Sequence, residues 1–377
     1  FTEGTLAQLF KEKRENTFVG GLPFYARKLC GNKVWVGTIL SLVYIIYALM
    51  CLPAQGFNVV TSIGAIAGLA ENVKIPLQST FTYVVSVLVI VLVAFMAFGG
   101  IRRVSHWADI LVPVMAVIYV VTALLLILSN VGSVPWFFKA VFEGAFKPEA
   151  VFCGFFGTAL LQGVKRGLMS NEAGQGTITM AAASAEAHHP CEQGIISALG
   201  VFLDTHVICT MTGFIIVMAH EWAADPAAWK AAGTYAKFLT SVNGLSPEMM
   251  QVFIQIMVSV CFCLFAYTCV IGFVSFSEIS ANRISSSKGF INFIRGLCIF
   301  VAAFGIACNI AGYDLSNLWA FSDLGNIIMV YCNVPMLYLG LKYVKKAANH
   351  YSRDTEASFD SEKVLGIRTD YWDGKEK

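Results

Sequence analysis

Eight predominantly apolar runs divide this 377-residue chain: roughly Val34–Gln55, Pro76–Phe98, Trp107–Ser129, Ala150–Met169, Gly194–His220, Met249–Phe276, Phe290–Ala311 and Leu315–Leu341. A hydrocarbon core of about 30 Å takes about 20 residues of α-helix to cross, and inside lipid each helix satisfies its own backbone polar groups. The runs therefore predict an all-α polytopic membrane protein with the lipid bilayer as its solvent. Apolar residues make up 57% of the chain and charged residues only 13%, which excludes a soluble domain. A net charge of +2 leaves no broad basic field, so nucleic acid is set aside as a partner.

Basic residues in the loops predict orientation. Alternate loops (11–33, 99–106, 186–193, 277–289 and 342–377) carry 18 Lys and Arg, against 5 in the other set. Basic loops are retained in the cytoplasm, which puts the C-terminus there, in a multi-pass protein expected in the plasma membrane. Residues 1–346 are expected to form the transmembrane domain, and 347–377, which mix acids and bases with few apolar residues, a cytoplasmic solvated tail. Eleven cysteines include no CxxC pair, and most lie in or beside apolar runs, where they read as small buried hydrophobes. Phe1–Phe10 reads like the end of a helix already under way, so the first helices are expected to be missing.

The fourth run is unusual. Gly154, Gly157, Gly163 and Gly167 interrupt it, and Lys165–Arg166 follow the third glycine. Glycine costs about 1 kcal/mol against alanine inside a helix, so the run reads as a helix prone to break. Broken backbone at membrane depth is tolerated where it lines a cavity, and in secondary transporters it marks the substrate site. Close helix packing through small residues explains the same glycines equally well. Next comes RGLMSNEAGQGT, Arg166–Thr177, where Ser170 or Asn171 can cap a second helix with Glu172 in its first turn.

Two long blocks then give the chain a likeness. GVKRGLMSNEAGQGT and AAASAEAHHPCEQGIISALGVFLDTHVICTMTGFII, within Gly163–Ile216, closely resemble the alanine or glycine:cation symporter family, the sodium:alanine symporters and amino-acid carrier proteins. GGIRRV (Gly99–Val104), LVPVMAVIY (Leu111–Tyr119) and TLAQLFKEK (Thr5–Lys13) extend the match, which reaches about Lys346. The resemblance implies a LeuT-like inverted-repeat fold, with a small amino acid and a sodium ion bound at broken helices. It implies no cofactor beyond the co-transported sodium. Family members also have a first, glycine-rich broken helix that nothing here matches, so the chain is expected to be an N-terminally truncated, divergent member that does not transport alone.

Candidate site residues follow. Gln55 matches a glutamine near the family's amino-acid pocket, and as the end of the first run it reads equally as a solvated cap. Leu161, Gln162 and Gly163 fall where the fourth run would unwind, so their backbone groups are expected to meet the ligand. Where family members resemble FAFSTILGW, this chain has FAYTCVIGF, Phe265–Phe273. The Thr and Trp similar to amino-acid contacts thus fall on Cys269 and Phe273, and the preceding Ser on Thr268, which keeps a hydroxyl for the cation. Asp204 lies about 10 residues into the fifth run, roughly 15 Å deep, where a carboxylate is costly and functional by default. Thr205 beside it adds a hard oxygen. Asp323 is a second intramembrane acid, and the family's Pro-Asn pair falls on Cys332–Asn333. His188–His189 reads as an exposed loop pair.

The first functional reading is a secondary active symporter coupling influx of sodium, or another cation, to uptake of a small neutral amino acid such as alanine or glycine. An enzyme is disfavoured, because no HExxH, G-x-S-x-G or similar block occurs. A channel or sensor on the same scaffold, or a non-functional fragment, stands as the alternative.

Overall fold

The computed structural model describes residues 1–14, 17–71, 75–146, 158–313, 315–355 and 357–373. In chain order these form α1 (Thr2–Leu9), a hairpin of β1 (Glu12–Arg14) and β2 (Thr17–Val19), α2 (Leu22–Leu29), α3 (Val34–Glu71), α4 (Thr80–Phe98), α5 (Gly100–Ser129) and α6 (Val134–Phe146). There follow α7 (Thr158–Asn171), α8 (Thr179–Ser184), α9 (Pro190–Phe202), α10 (Thr210–Met218), α11 (Glu221–Ala224), α12 (Pro226–Ala231) and α13 (Thr234–Leu245). The last are α14 (Gln251–Ile284), α15 (Lys288–Ile310), α16 (Leu315–Tyr351) and α17 (Ser361–Leu365). Among the described residues, 7 helical stretches are long and apolar enough to cross a membrane, so the chain is a mostly helical polytopic membrane protein. They match every expected run but the fourth, part of which lies outside the described residues.

Local chemistry sets several boundaries. Ser79 caps α4 by accepting from Thr82 N at 3.2 Å, and Asp225 caps α12. His189 caps α9 through its Nδ1, which accepts from Cys191 N at 3.1 Å, with Pro190 in the first turn where its missing N–H costs nothing. His188 is exposed as expected, but His189 is 1% exposed, which corrects the expectation for that member of the pair; its Nε2 lies 3.2 Å from His350 Nδ1. Burial, then the neighbouring His350, pushes its pKa down to about 4.

Helix α3 runs far past Gln55, so that residue is interior to a helix and not its end. It forms the spine of the bundle. One core joins Ile45, Leu52 and Val59 of α3 to Val89 and Val93 of α4, Val270 and Val274 of α14, and Cys298, Ala302 and Ile306 of α15. Contact with α15 is close enough that a Cβ at Gly305 would overlap the Pro53 carbonyl, and one at Gly56 would lie 2.5 Å from Ala302 O. Glycine is what lets the two backbones meet.

A second core gathers Leu6 and Leu9 of α1, Leu22, Phe24 and Tyr25 of α2, Tyr44 and Tyr47 of α3, and Met329 and Val344 of α16. Phe359, Leu365 and Trp372 belong to it as well. The solvated tail expected after residue 346 is therefore corrected: α16 continues to Tyr351, and the chain beyond packs back on α1. Trp372 Nε1 donates to Gln8 O at 2.7 Å. Lys11, fully buried, donates to Ala185 O at 3.0 Å with its Nζ 4.2 Å from the Phe18 ring centroid and 4.5 Å from that of Tyr371. An ammonium is held there by ring faces and a carbonyl.

The loops sort to two ends of the bundle as the basic-residue count groups them. Arg14 Nη1 donates to Asn282 O at 2.9 Å, Lys28 Nζ pairs with Asp370 at 2.8 Å, and His189 meets His350. At the opposite end Asn130 Nδ2 donates to Leu245 O at 2.8 Å, and the Trp136 and His220 rings lie 3.7 Å apart.

Candidate functional site

The break expected near Leu161–Gly163 lies instead after Asn171. Helix α7 runs unbroken through Leu161, Gln162 and Gly163, all three exposed, and Gly154 and Gly157 lie outside the described residues. Past Asn171 the backbone turns left-handed at Glu172 (φ 53°), Gly174 (φ 87°) and Gly176 (φ 80°) before α8 begins. Two of these are glycines, for which that region is free of the Cβ penalty. Side chains close the turn: Gln175 Nε2 donates to Leu168 O at 2.8 Å, and Asn171 Oδ1 accepts from Ala173 N at 3.0 Å. Asn171 thus braces the break; α8 takes no side-chain cap from Ser170 or Asn171.

The freed backbone groups find partners far away in sequence. Glu3 of α1 accepts from Gly174 N at 3.2 Å and Gly176 N at 2.8 Å. Asn333 of α16, fully buried, donates from Nδ2 to Glu3 Oε1 at 2.5 Å and to Gly174 O at 3.0 Å, and its Oδ1 accepts from Tyr25 OH. Helices α1, α2 and α16 thereby meet on one turn, whose N–H groups form an anion-holding nest filled by the chain's own carboxylate.

Beside the break is a cavity of about 340 Å³ lined by Tyr47, Cys51 and Gln55 of α3, Arg166, Met169 and Ser170 of α7, Glu172, Cys269 and Phe273 of α14, and Trp319 and Asn326 of α16. Three of the six expected substrate contacts, Gln55, Cys269 and Phe273, meet here. Leu161, Gln162 and Gly163 do not line it. Phe273 packs edge-on to Tyr47 with ring centroids 5.7 Å apart. Asp323 lies next door, 6% exposed, with its carboxylate 2.6 Å from Lys165 Nζ and taking the Arg166 fork at 3.1 and 3.2 Å. The Arg166 guanidinium also lies 5.9 Å from the Trp319 ring centroid.

The expected cation ligands divide. Asp204 and Thr205 sit in a π-helical stretch, Leu203–Cys209, between α9 and α10. Such wide turns recur at functional sites because they free carbonyls and re-aim side chains. Asp204 Oδ2 accepts from Ser170 Oγ at 2.7 Å, and Thr205 Oγ1 accepts from Asn171 Nδ2 at 3.1 Å. Both are therefore tied to the residues that precede the break, and Ser170 itself lines the cavity. Thr268 instead donates to Phe265 O of its own helix at 3.0 Å.

This combination of a broken turn, a mostly apolar cavity carrying a few polar groups and a carboxylate on a widened helix coincides with a sequence match along the chain: the model of the sodium:alanine symporter family covers residues 1–364. The chain belongs to the sodium:alanine symporter family. Among family relatives, it is 31% identical to the amino-acid carrier protein AlsT of Bacillus subtilis (strain 168), over 96% of this chain and 72% of that one. It is 30% identical to the probable sodium/glutamine symporter GlnT of the same organism, over 96% and 70%. With the sodium/alanine symporter AgcS of Methanococcus maripaludis it shares 29% identity, over 90% and 71%. The symporter family is a family of transporters, so the chain is not an enzyme.

Proposed function

We propose that this protein is a secondary active symporter that couples inward movement of sodium to uptake of a small neutral amino acid such as alanine or glycine. One observation carries the reading: residues matched to the family's amino-acid pocket, Gln55, Cys269 and Phe273, converge with the broken turn on one cavity. A zwitterion needs donors for its carboxylate and an acceptor for its ammonium. Gln55, Asn326 and Arg166 supply the first and Glu172 the second, in a volume suited to a few heavy atoms. Asp204 and Thr205 hold the cation, coupled to the substrate through Ser170. Thr268, one residue from Cys269, stays a lesser candidate because its hydroxyl already bonds its own helix. The fold is LeuT-like, with residues 1–346 as the transporting domain in the plasma membrane and the C-terminus cytoplasmic. The break between α7 and α8 and the basic-loop bias support that arrangement.

The test is uptake of radiolabelled alanine into proteoliposomes holding the purified full-length protein. Saturable uptake that needs an inward sodium gradient and collapses with a sodium ionophore is expected. Flux that fails to saturate, or is indifferent to sodium, favours a channel and overturns the proposal.

A further inference from the structure

A second cavity lies away from the break, at the end of the bundle where the basic loops gather. It holds about 790 Å³ and is lined by Arg14 and Thr17 of the hairpin, Gly99–Gly100 between α4 and α5, Glu278 and Asn282 of α14, and Lys288, Asn292 and Arg295 at the start of α15. Three cations face one carboxylate. That carboxylate, Glu278, is taken by the Arg295 fork at 2.6 and 3.0 Å, and Arg14 shares one N–H with Glu12 at 3.0 Å. Lys288 is exposed, and no ion pair is found for it among the described residues.

Directly behind the groove wall, next to Asn282, is Arg283, 9% exposed. Among the described residues its Nε and Nη2 have no hydrogen-bond partner, nor has Nε of Arg27 beside it. The guanidinium groups of Arg283 and Arg14 flank the Phe24 ring, each 5.8 Å from its centroid. Five cations (Arg14, Arg27, Arg283, Lys288, Arg295) therefore surround two carboxylates (Glu12, Glu278). Arg283 and Arg27 do not line the groove themselves, but their charge adds to that of Arg14, Lys288 and Arg295 on its wall, and this excess of positive charge favours an anion there.

The outer flank of the groove indicates which anion. Phe95 and Phe98 near the end of α4 are 59% and 54% exposed, and Phe293, Phe300 and Phe304 of α15 are 63%, 70% and 54% exposed. The last three are spaced for one helix face, which gives a continuous apolar strip running from the groove toward the middle of the bundle. A free anion has no use for that strip. Acyl chains do.

We propose that this groove binds the phosphodiester of an anionic phospholipid, with Arg14 and Lys288 on the phosphate and the acyl chains along Phe293, Phe300 and Phe304. Its place among the basic loops fits the leaflet in which anionic headgroups and polybasic segments meet. Nothing in this site depends on the transported amino acid or on sodium, so it stands or falls separately from the symport reading.

Thermal unfolding of the purified protein in maltoside micelles tests it, with dioleoyl phosphatidylglycerol, dioleoyl phosphatidylcholine or inorganic phosphate titrated in. Saturating phosphatidylglycerol is expected to raise the unfolding midpoint by about 3–5 °C, while phosphatidylcholine leaves it in place. Arg14→Gln with Lys288→Gln, both accessible positions, is expected to weaken the lipid response about 10- to 150-fold in concentration. Lys230→Gln, exposed on α12 at the other end, leaves it unchanged. Equal shifts from the two lipids, or an unaltered response in the double variant, overturn the proposal. A shift of the same size from inorganic phosphate alone removes the lipid and overturns it too.

Discussion

Asn333→Ala tests whether the buried network, and not the glycine content of α7, holds the break in shape. The side chain makes three hydrogen bonds, to Tyr25 OH, Glu3 Oε1 and Gly174 O, and is fully buried. Truncation leaves the Tyr25 hydroxyl without an acceptor, costing about 1–3 kcal/mol, and removes a donor from a carboxylate, costing about 1.5–3 kcal/mol more. Glu3 keeps Gly174 N and Gly176 N, so the nest is weakened and not emptied. A total of about 2.5–6 kcal/mol follows, a large share of the about 5–15 kcal/mol that separates folded from unfolded chains. The assay is denaturant unfolding in mixed micelles, followed by tryptophan fluorescence. A second variant sharpens it. Tyr25→Phe removes the orphaned hydroxyl, so when combined with Asn333→Ala it should cost less than it does alone, by about 1 kcal/mol or more. Strict additivity of the two changes, or a loss below about 1 kcal/mol for Asn333→Ala, would show that the network is incidental and that the break is held elsewhere.

Asp204→Asn should lower the sodium dependence of alanine uptake more than it lowers stability; an unchanged sodium curve assigns Asp204 to bracing Ser170 alone. Cys269→Thr with Phe273→Trp should move preference toward alanine, because a thiol is a weak partner for a charged ligand group and Phe leaves more room than Trp. Competition by alanine, serine and valine reads this out, and an unaltered rank order refutes it. The His189 ring is neutral in the folded state down to about pH 4. The unfolded chain protonates near the ordinary histidine value of 6.5, so stability should fall as pH drops from 6.5 toward 4 and level off below. Unfolding midpoints of the protein and of His189→Gln, compared across that range, check it: parallel curves sink the assignment.

The spans are legible in the sequence because about 20 apolar residues in a row have few other uses. The position of the break is not, because glycine content reports a helix's weakness, while the break itself is fixed by a carboxylate 171 residues away in sequence, Glu3 on Gly174. Within the cavity, Gln55, Cys269 and Phe273 are readable through the family resemblance alone. Arg166 and Asp323 offer a weak signal of their own, opposite charges stranded in two apolar runs, which is a pairing rule applied across helices. Trp319 and Asn326 are seven residues apart on one helix and so share a face, but which face meets the cavity is set by α16 crossing α3. In the tail, sparse apolar residues suggest solvation, yet Phe359, Leu365 and Trp372 are the ones used.

Glu172 shows where the site stores strain. It is a non-glycine residue in the left-handed region (φ 53°), a conformation costing about 1–2 kcal/mol relative to glycine. Glycines stand two and four positions on, so a third here would relieve the backbone. The carboxylate is kept instead, lining the cavity and accepting from Thr177 Oγ1 at 2.5 Å. An observed outlier beside a cavity argues that the side chain serves the ligand and the fold tolerates its cost. Glu172→Gly separates the two roles: relief of backbone strain and loss of one hydrogen bond nearly cancel, leaving the unfolding free energy within about 1 kcal/mol of the parent. Uptake, deprived of the acceptor for the ammonium, should fall about 10- to 150-fold at limiting substrate. If stability collapses together with uptake, Glu172 is a brace for the turn, and the ammonium must be met by another group.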